Sequence, residues 1–176
     1  IKDPKTRKLQ DFPSMTISCY QLRPESLGSI HIKSPDPRAH PAIRFNFLHD
    51  PIDRAAMTAG IRLMRHMMAQ APMGAYRGDE FSPGPEVSTD EQILTWIRNN
   101  SQTAYHPIGT CRMGPLGTHA VVDDKLRVHG LDGLRVADAS IFPTMPSGNT
   151  NAPSIMVGEK CADIIRAERH GMRAAA

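Results

Sequence analysis

His106 sits in Tyr105-His-Pro-Ile-Gly-Thr-Cys-Arg-Met-Gly114, between an aromatic residue and a Gly-containing polar turn. An imidazole titrates near neutrality and can accept a proton there at little cost. Pro107 and Gly109 favour a tight, rigid loop that would fix the ring. His106 is one of eight histidines, and a loop histidine that is only hydrogen-bonded is the plainer alternative. Asn149 lies in Ser147-Gly-Asn-Thr-Asn151, just ahead of a helical pattern. Asn is a common loop and cap residue. Asn151 fits the cap role, which leaves Asn149 free to point elsewhere. The helix start beyond it offers backbone N–H groups and a positive dipole end, suited to a phosphate or an anionic ring. A zinc site from His106, Cys111 and His119 is a rival reading, but the spacing is irregular and no fourth ligand is evident.

These residues need elements to hold them. Residues 1–14 are polar, with Pro4 and Pro13, and read as a linker. Met15–Leu22 alternates in the strand period, with Met15, Ile17 and Cys19 on one face. Ser29–Lys33 and Ile43–Leu48 read as second and third strands, separated by turns at 23–28 and 34–37. The expectation is an antiparallel sheet.

The period then changes. Asp50, Pro51 and Asp53 mark a helix start. Met57, Ile61, Met64 and Met68 recur at helical spacing, and such a stripe is read as core packing. Arg54, Arg62 and Arg65 are expected to face solvent, and the helix to end before Pro72. Residues 71–87 read as a surface loop. Ser88-Thr-Asp-Glu91 reads as a capping box opening a second helix through Ile93, Leu94 and Ile97, with Trp96 packing from it. Ala120–Val122, Leu126–His129 and Leu134–Asp138 read as short extended pieces. A last helix begins near Asn151-Ala-Pro153.

The 176 residues carry a net charge of +3 and are 40% hydrophobic, ordinary for a globular chain. Lys5, Arg7 and Lys8 form a short basic start, without the basic patch and interleaved aromatics of a nucleic-acid binder. Three scattered cysteines with no C-x-x-C argue against a disulfide framework and fit a reducing, cytoplasmic setting. No apolar run approaches the ~18 residues of a membrane span.

Three segments together, Tyr105–Gly114, Gly133-Leu-Arg-Val-Ala-Asp-Ala-Ser140 and Ser147–Met156, resemble the C-terminal signature of the glucose–methanol–choline (GMC) family of flavin-dependent alcohol oxidoreductases. Pro24–Ser29, Ser34–Pro37 and Asn46–Leu48 are similar to its substrate-domain pattern. Leu27 departs from the family, which usually carries Arg before the Gly. The resemblance implies an α+β fold: an antiparallel sheet with helices on one face (substrate domain) over residues 1–104, and segments over 105–176 that complete a flavin-binding domain. It implies FAD as cofactor. No G-x-G-x-x-G fingerprint occurs, so the N-terminal FAD-binding part is expected outside this chain, which reads as the C-terminal piece of a larger enzyme.

By the family's H-x-x-G-T motif, His106 takes the place of a general base and Asn149 that of its partner, as in choline and alkanol dehydrogenases. The resemblance puts Asp138 and Ala139 beside the flavin chain, and Asn151, Ala152 and Pro153 against the pyrimidine edge of the ring. It implies oxidation of a small alcohol, choline among the candidates, with the hydroxyl proton going to His106 and the hydride to flavin N5. The implied partners are the small alcohol, the missing N-terminal portion of the same protein and, for an apolar face left over, a second copy of the chain. The alternative is a flavin-less binding or structural module of the same fold.

Overall fold

The computed structural model describes residues 12–174. Most of the linker expected at the N-terminus, with its basic residues, lies outside the described residues. The chain divides into two compact units, residues 1–27 with 46–104, and residues 28–45 with 105–176.

The first unit is built on two helices. Helix α1 spans Pro51–Met68. The Asp50 carboxylate accepts from the Ile52 N–H at 2.8 Å, and Pro51 occupies a first-turn position where no N–H is missed. Helix α2 spans Asp90–Asn100. Its capping box lies one residue later than the sequence suggests: Thr89 accepts from Gln92 N–H, and the Gln92 side chain accepts from Thr89 N–H. Ser88 and Glu91 do not form the pair, because the box needs its acceptor at the residue where the helix begins.

The core of this unit is Ile61, Ile93 and Ile97, with Leu48, Met57, Met64, Val87 and Trp96 packed around it. Met57, Ile61, Met64 and Trp96 therefore pack as expected, while Met68, the last of the stripe, lies outside this cluster. Arg65 does not simply face solvent. Its guanidinium donates to the Glu80 carboxylate, to Gly84 O at 2.9 Å and to Val87 O at 2.7 Å, so one fork stitches residues 80–87 onto α1. Asp53, 3% exposed, accepts from the backbone N–H groups of Glu25 (2.9 Å) and Ser26 (2.8 Å), tying the 23–28 turn to the start of α1.

The sheet is smaller than the sequence suggests. Strands β1 (Ser29–His31) and β2 (Ala42–Arg44) pair antiparallel, with Ile30 opposite Ile43. Gly28 makes the approach possible: a Cβ there would lie 2.1 Å from Arg44 O. The expected third strand stops early because Asn46 (φ 57°) and Leu48 (φ 58°) adopt left-handed backbone, which a strand cannot continue. Met15–Leu22 forms no strand among the described residues. Cys19 of this segment lies against α1 at Gly60, whereas Met15 and Ile17, expected on the same face, are exposed. Residues 71–75, read as loop, form a short 3₁₀ turn.

In the second unit the extended pieces meet at single bridges rather than ladders: Met113 with Val122, Val122 with Val128, and Arg127 with Arg135. Around them lies a core of Val122, Leu126, Ile141, Val157 and Cys161. Helix α3 (Asn151–Ala174) supplies the last two, and the Arg135–Glu168 ion pair at 2.5 Å fastens it to the 134–136 segment. The architecture is α+β, with a two-stranded antiparallel sheet and three α-helices among the described residues. None of these helices is long and apolar enough to cross a membrane.

Candidate active site

The site lies within the second unit, where the start of α3 meets the His106 loop. Asn151 is the first helical residue, so Thr150, not Asn151, holds the cap position. Thr150 O accepts the first intrahelical bond, from Ser154 N–H at 3.0 Å, as a cap residue does. A cap side chain ordinarily accepts from the second or third helical N–H. The third helical residue here is Pro153, which has none. The Thr150 hydroxyl turns elsewhere: its Oγ1 lies 3.0 Å from His106 Nδ1. The Thr150 N–H also points at Nδ1, but at 3.5 Å this is a weak contact.

The His106 loop is held at both ends of the motif. Tyr105 (φ 61°) and Gly109 (φ 82°) take left-handed backbone and turn the chain sharply on either side of the imidazole. Beyond the turn, Cys111 N–H donates to Ser140 O (3.0 Å) and Met113 N–H to Ile141 O (2.7 Å). The loop is thus stitched to residues 139–141, and Ile141 shares a core with Val157 of α3. His106 is half-buried. Nδ1 is the ring nitrogen that Thr150 engages. His129 has a different task, donating from Nε2 to Gly114 O at 3.0 Å when that nitrogen is protonated.

The remaining residues fall around this centre. Asn149 is exposed and precedes Thr150 directly. Asn151 and Ala152 are exposed in the first turn of α3, and Pro153 is half-buried. Asp138 is exposed, and its carboxylate accepts from Ser140 N–H at 2.8 Å, capping the short 3₁₀ turn Ala139–Ile141. The Asp138 carboxylate therefore shapes that turn, and Ala139 opens it. Among the described residues no three His, Cys, Asp or Glu side chains converge as metal ligands, and His106, Cys111 and His119 do not form such a group. Thr150 is the residue that sequence reasoning passed over. The signal for it was a Thr just ahead of a helix whose third residue is Pro.

The chain matches the GMC oxidoreductase family model over residues 24–158. It is 50% identical over 145 residues to the oxygen-dependent choline dehydrogenase of Chromohalobacter salexigens, covering 82% of this chain and 26% of that protein. A solved fungal aryl-alcohol oxidase is 35% identical with a TM-score of 0.79, over 85% of this chain and 25% of its own. A formate oxidase from Aspergillus oryzae RIB40, solved to follow FAD modification, is 35% identical with a TM-score of 0.74, over 82% of this chain and 25% of its own. The chain spans about a quarter of the length of the curated relatives it matches.

Proposed function

The chain belongs to the GMC oxidoreductase family, and on that premise we propose that it is the substrate-handling part of an FAD-dependent enzyme that oxidises a small primary alcohol, choline being the first candidate. The observation that carries this reading is the His106 imidazole, half-buried and held by Nδ1 at the start of α3. The candidate choline comes from the 50% identical choline dehydrogenase.

His106 takes the hydroxyl proton of the alcohol at Nε2, a step that contributes about 10²–10⁴-fold when a base is well placed. Asn149 donates a hydrogen bond to the oxygen as it gains negative charge. FAD, when bound, supplies the oxidant for the carbon–hydrogen bond. The first turn of α3 suits an electron-rich ring edge, since Asn151 and Ala152 are exposed at the positive end of a 24-residue helix. Pro153 packs there without leaving an unmatched N–H. Asp138 holds the Ala139–Ile141 turn in shape, and that turn would help hold the cofactor's chain.

The test is stopped-flow reduction of the flavin by choline and by simple primary alcohols in the full-length protein that carries this chain. His106→Ala should slow the reductive step by roughly two orders of magnitude or more, with a smaller change in alcohol affinity. Near-normal reduction in the variant would remove His106 from the chemistry. A full-length protein without a flavin spectrum would favour a non-catalytic module instead.

A further inference from the structure

We propose that Asp138 is a positioning residue for His106, acting through the turn Ala139–Ile141 that it caps. The inference rests on the reading of His106 as base and extends it to a carboxylate that reaches the loop through backbone hydrogen bonds. The chain of contacts is short. The Asp138 carboxylate accepts from Ser140 N–H at 2.8 Å. Ser140 O in turn accepts from Cys111 N–H at 3.0 Å, and Ile141 O from Met113 N–H at 2.7 Å. Gly109 lies against the next residue along, since a Cβ there would be 3.5 Å from Phe142 O. Gly109, Cys111 and Met113 of the His106 loop therefore all rest on residues 140–142.

The two ends of the turn are held differently. Its far end is fixed by packing: Ile141 is 3% exposed and shares a core with Val122, Leu126 and Val157. Its near end is held by hydrogen bonds. The turn's own backbone bonds, Ile141 N–H to Asp138 O and Phe142 N–H to Ala139 O, are both long at 3.3 Å. The bond to the Asp138 carboxylate is shorter and has a charged acceptor, which makes it the stronger kind. The loop has a second attachment further on, where Val121 N–H donates to Arg112 O (2.8 Å) and Gly114 N–H to Val122 O (3.0 Å). That attachment holds residues 112–114. The stretch nearer the histidine, residues 109–111, rests on the turn. Loss of the cap therefore shifts the Cys111 anchor first, and with it the backbone that carries the imidazole.

The test reads the anchor and the chemistry separately, in the full-length protein loaded with FAD. In Asp138→Ala, hydrogen exchange followed by mass spectrometry on peptides spanning residues 107–113 should quicken about 2–30-fold, the factor that matches the usual cost of a lost cap. Peptides from α2 should exchange as in the wild type. Flavin reduction at saturating alcohol should slow about tenfold, with a smaller change in alcohol affinity. Asp138→Asn keeps a capping oxygen and should restore both the exchange and the rate. Unchanged exchange at 107–113 in a folded Asp138→Ala protein would overturn the proposal, and so would faster exchange with flavin reduction intact. A fall in FAD occupancy with the 107–113 peptides unmoved would assign Asp138 to cofactor binding alone and sink the proposal as well. The reading of His106 as base fails on a different result, near-normal flavin reduction in His106→Ala, which leaves the exchange measurement untouched.

Discussion

Asp53 carries the clearest energetic test of the first unit. Its carboxylate is 3% exposed and accepts from two backbone N–H groups, Glu25 at 2.9 Å and Ser26 at 2.8 Å. Hydrogen bonds to a charged group contribute about 1.5–3 kcal/mol each, so the pair is worth ~3–6 kcal/mol. Taking the carboxylate out of water offsets part of this. Asp53→Ala should therefore destabilise by about 2–4 kcal/mol, and lower Tm by roughly 5–15 °C for a chain of this size. Asp53→Asn keeps one accepting oxygen and should fall between. The pH dependence has a definite sign. Burial pushes the Asp53 carboxyl up, but hydrogen bonds from the Ser26 side chain, the Glu25 and Ser26 N–H groups and the Gln21 side chain outweigh it and hold it below its ordinary value. A carboxyl depressed in the folded state stabilises fully above its unfolded pKa, near ~3.9, and loses that contribution as pH falls through the folded value. Denaturant unfolding of wild type and Asp53→Ala should give a constant difference above about pH 5 that narrows below about pH 4. A difference under ~1 kcal/mol at neutral pH, or one that widens in acid, would refute the argument.

Two further outcomes follow from the packing and the site. Gly60→Ala should destabilise by ~1–2 kcal/mol even though Ala ordinarily favours a helix by ~1 kcal/mol over Gly, because its Cβ would lie 2.6 Å from Cys19 Sγ; adding Cys19→Gly should restore stability in a double-mutant cycle, and additive losses would show that the contact is not the cause. Asn149→Ala should slow flavin reduction in the full-length protein by about 10–10³-fold, the range for losing one transition-state donor, and an untouched reductive step would reduce Asn149 to a loop residue.

Local signals were legible in the sequence alone. Asp50-Pro51 marked the start of α1, and the Met and Ile spacing marked its buried face, because caps and periodicity act over a few residues. The H-x-x-G-T and Ser147–Met156 segments pointed to the family for the same reason: a motif is a short run of residues. Where one residue of offset mattered, the sequence did not decide. At 88–92 the sequence was read as a box of Ser88 with Glu91, and the backbone instead pairs Thr89 with Gln92. Alternation at Met15–Leu22 looked like a strand, but a strand exists only if another backbone pairs with it, and the described residues offer none. Asn46 and Leu48 ended β2 through left-handed backbone that neither residue type dictates. Thr150 and His106 are 44 positions apart, and no local pattern links them. Their contact arises because the His106 loop bonds to residues 140–141, while Ile141 and the first turns of α3 share a core. Residue types and motifs set which groups could do the chemistry; only the tertiary packing decided which hydroxyl the imidazole meets.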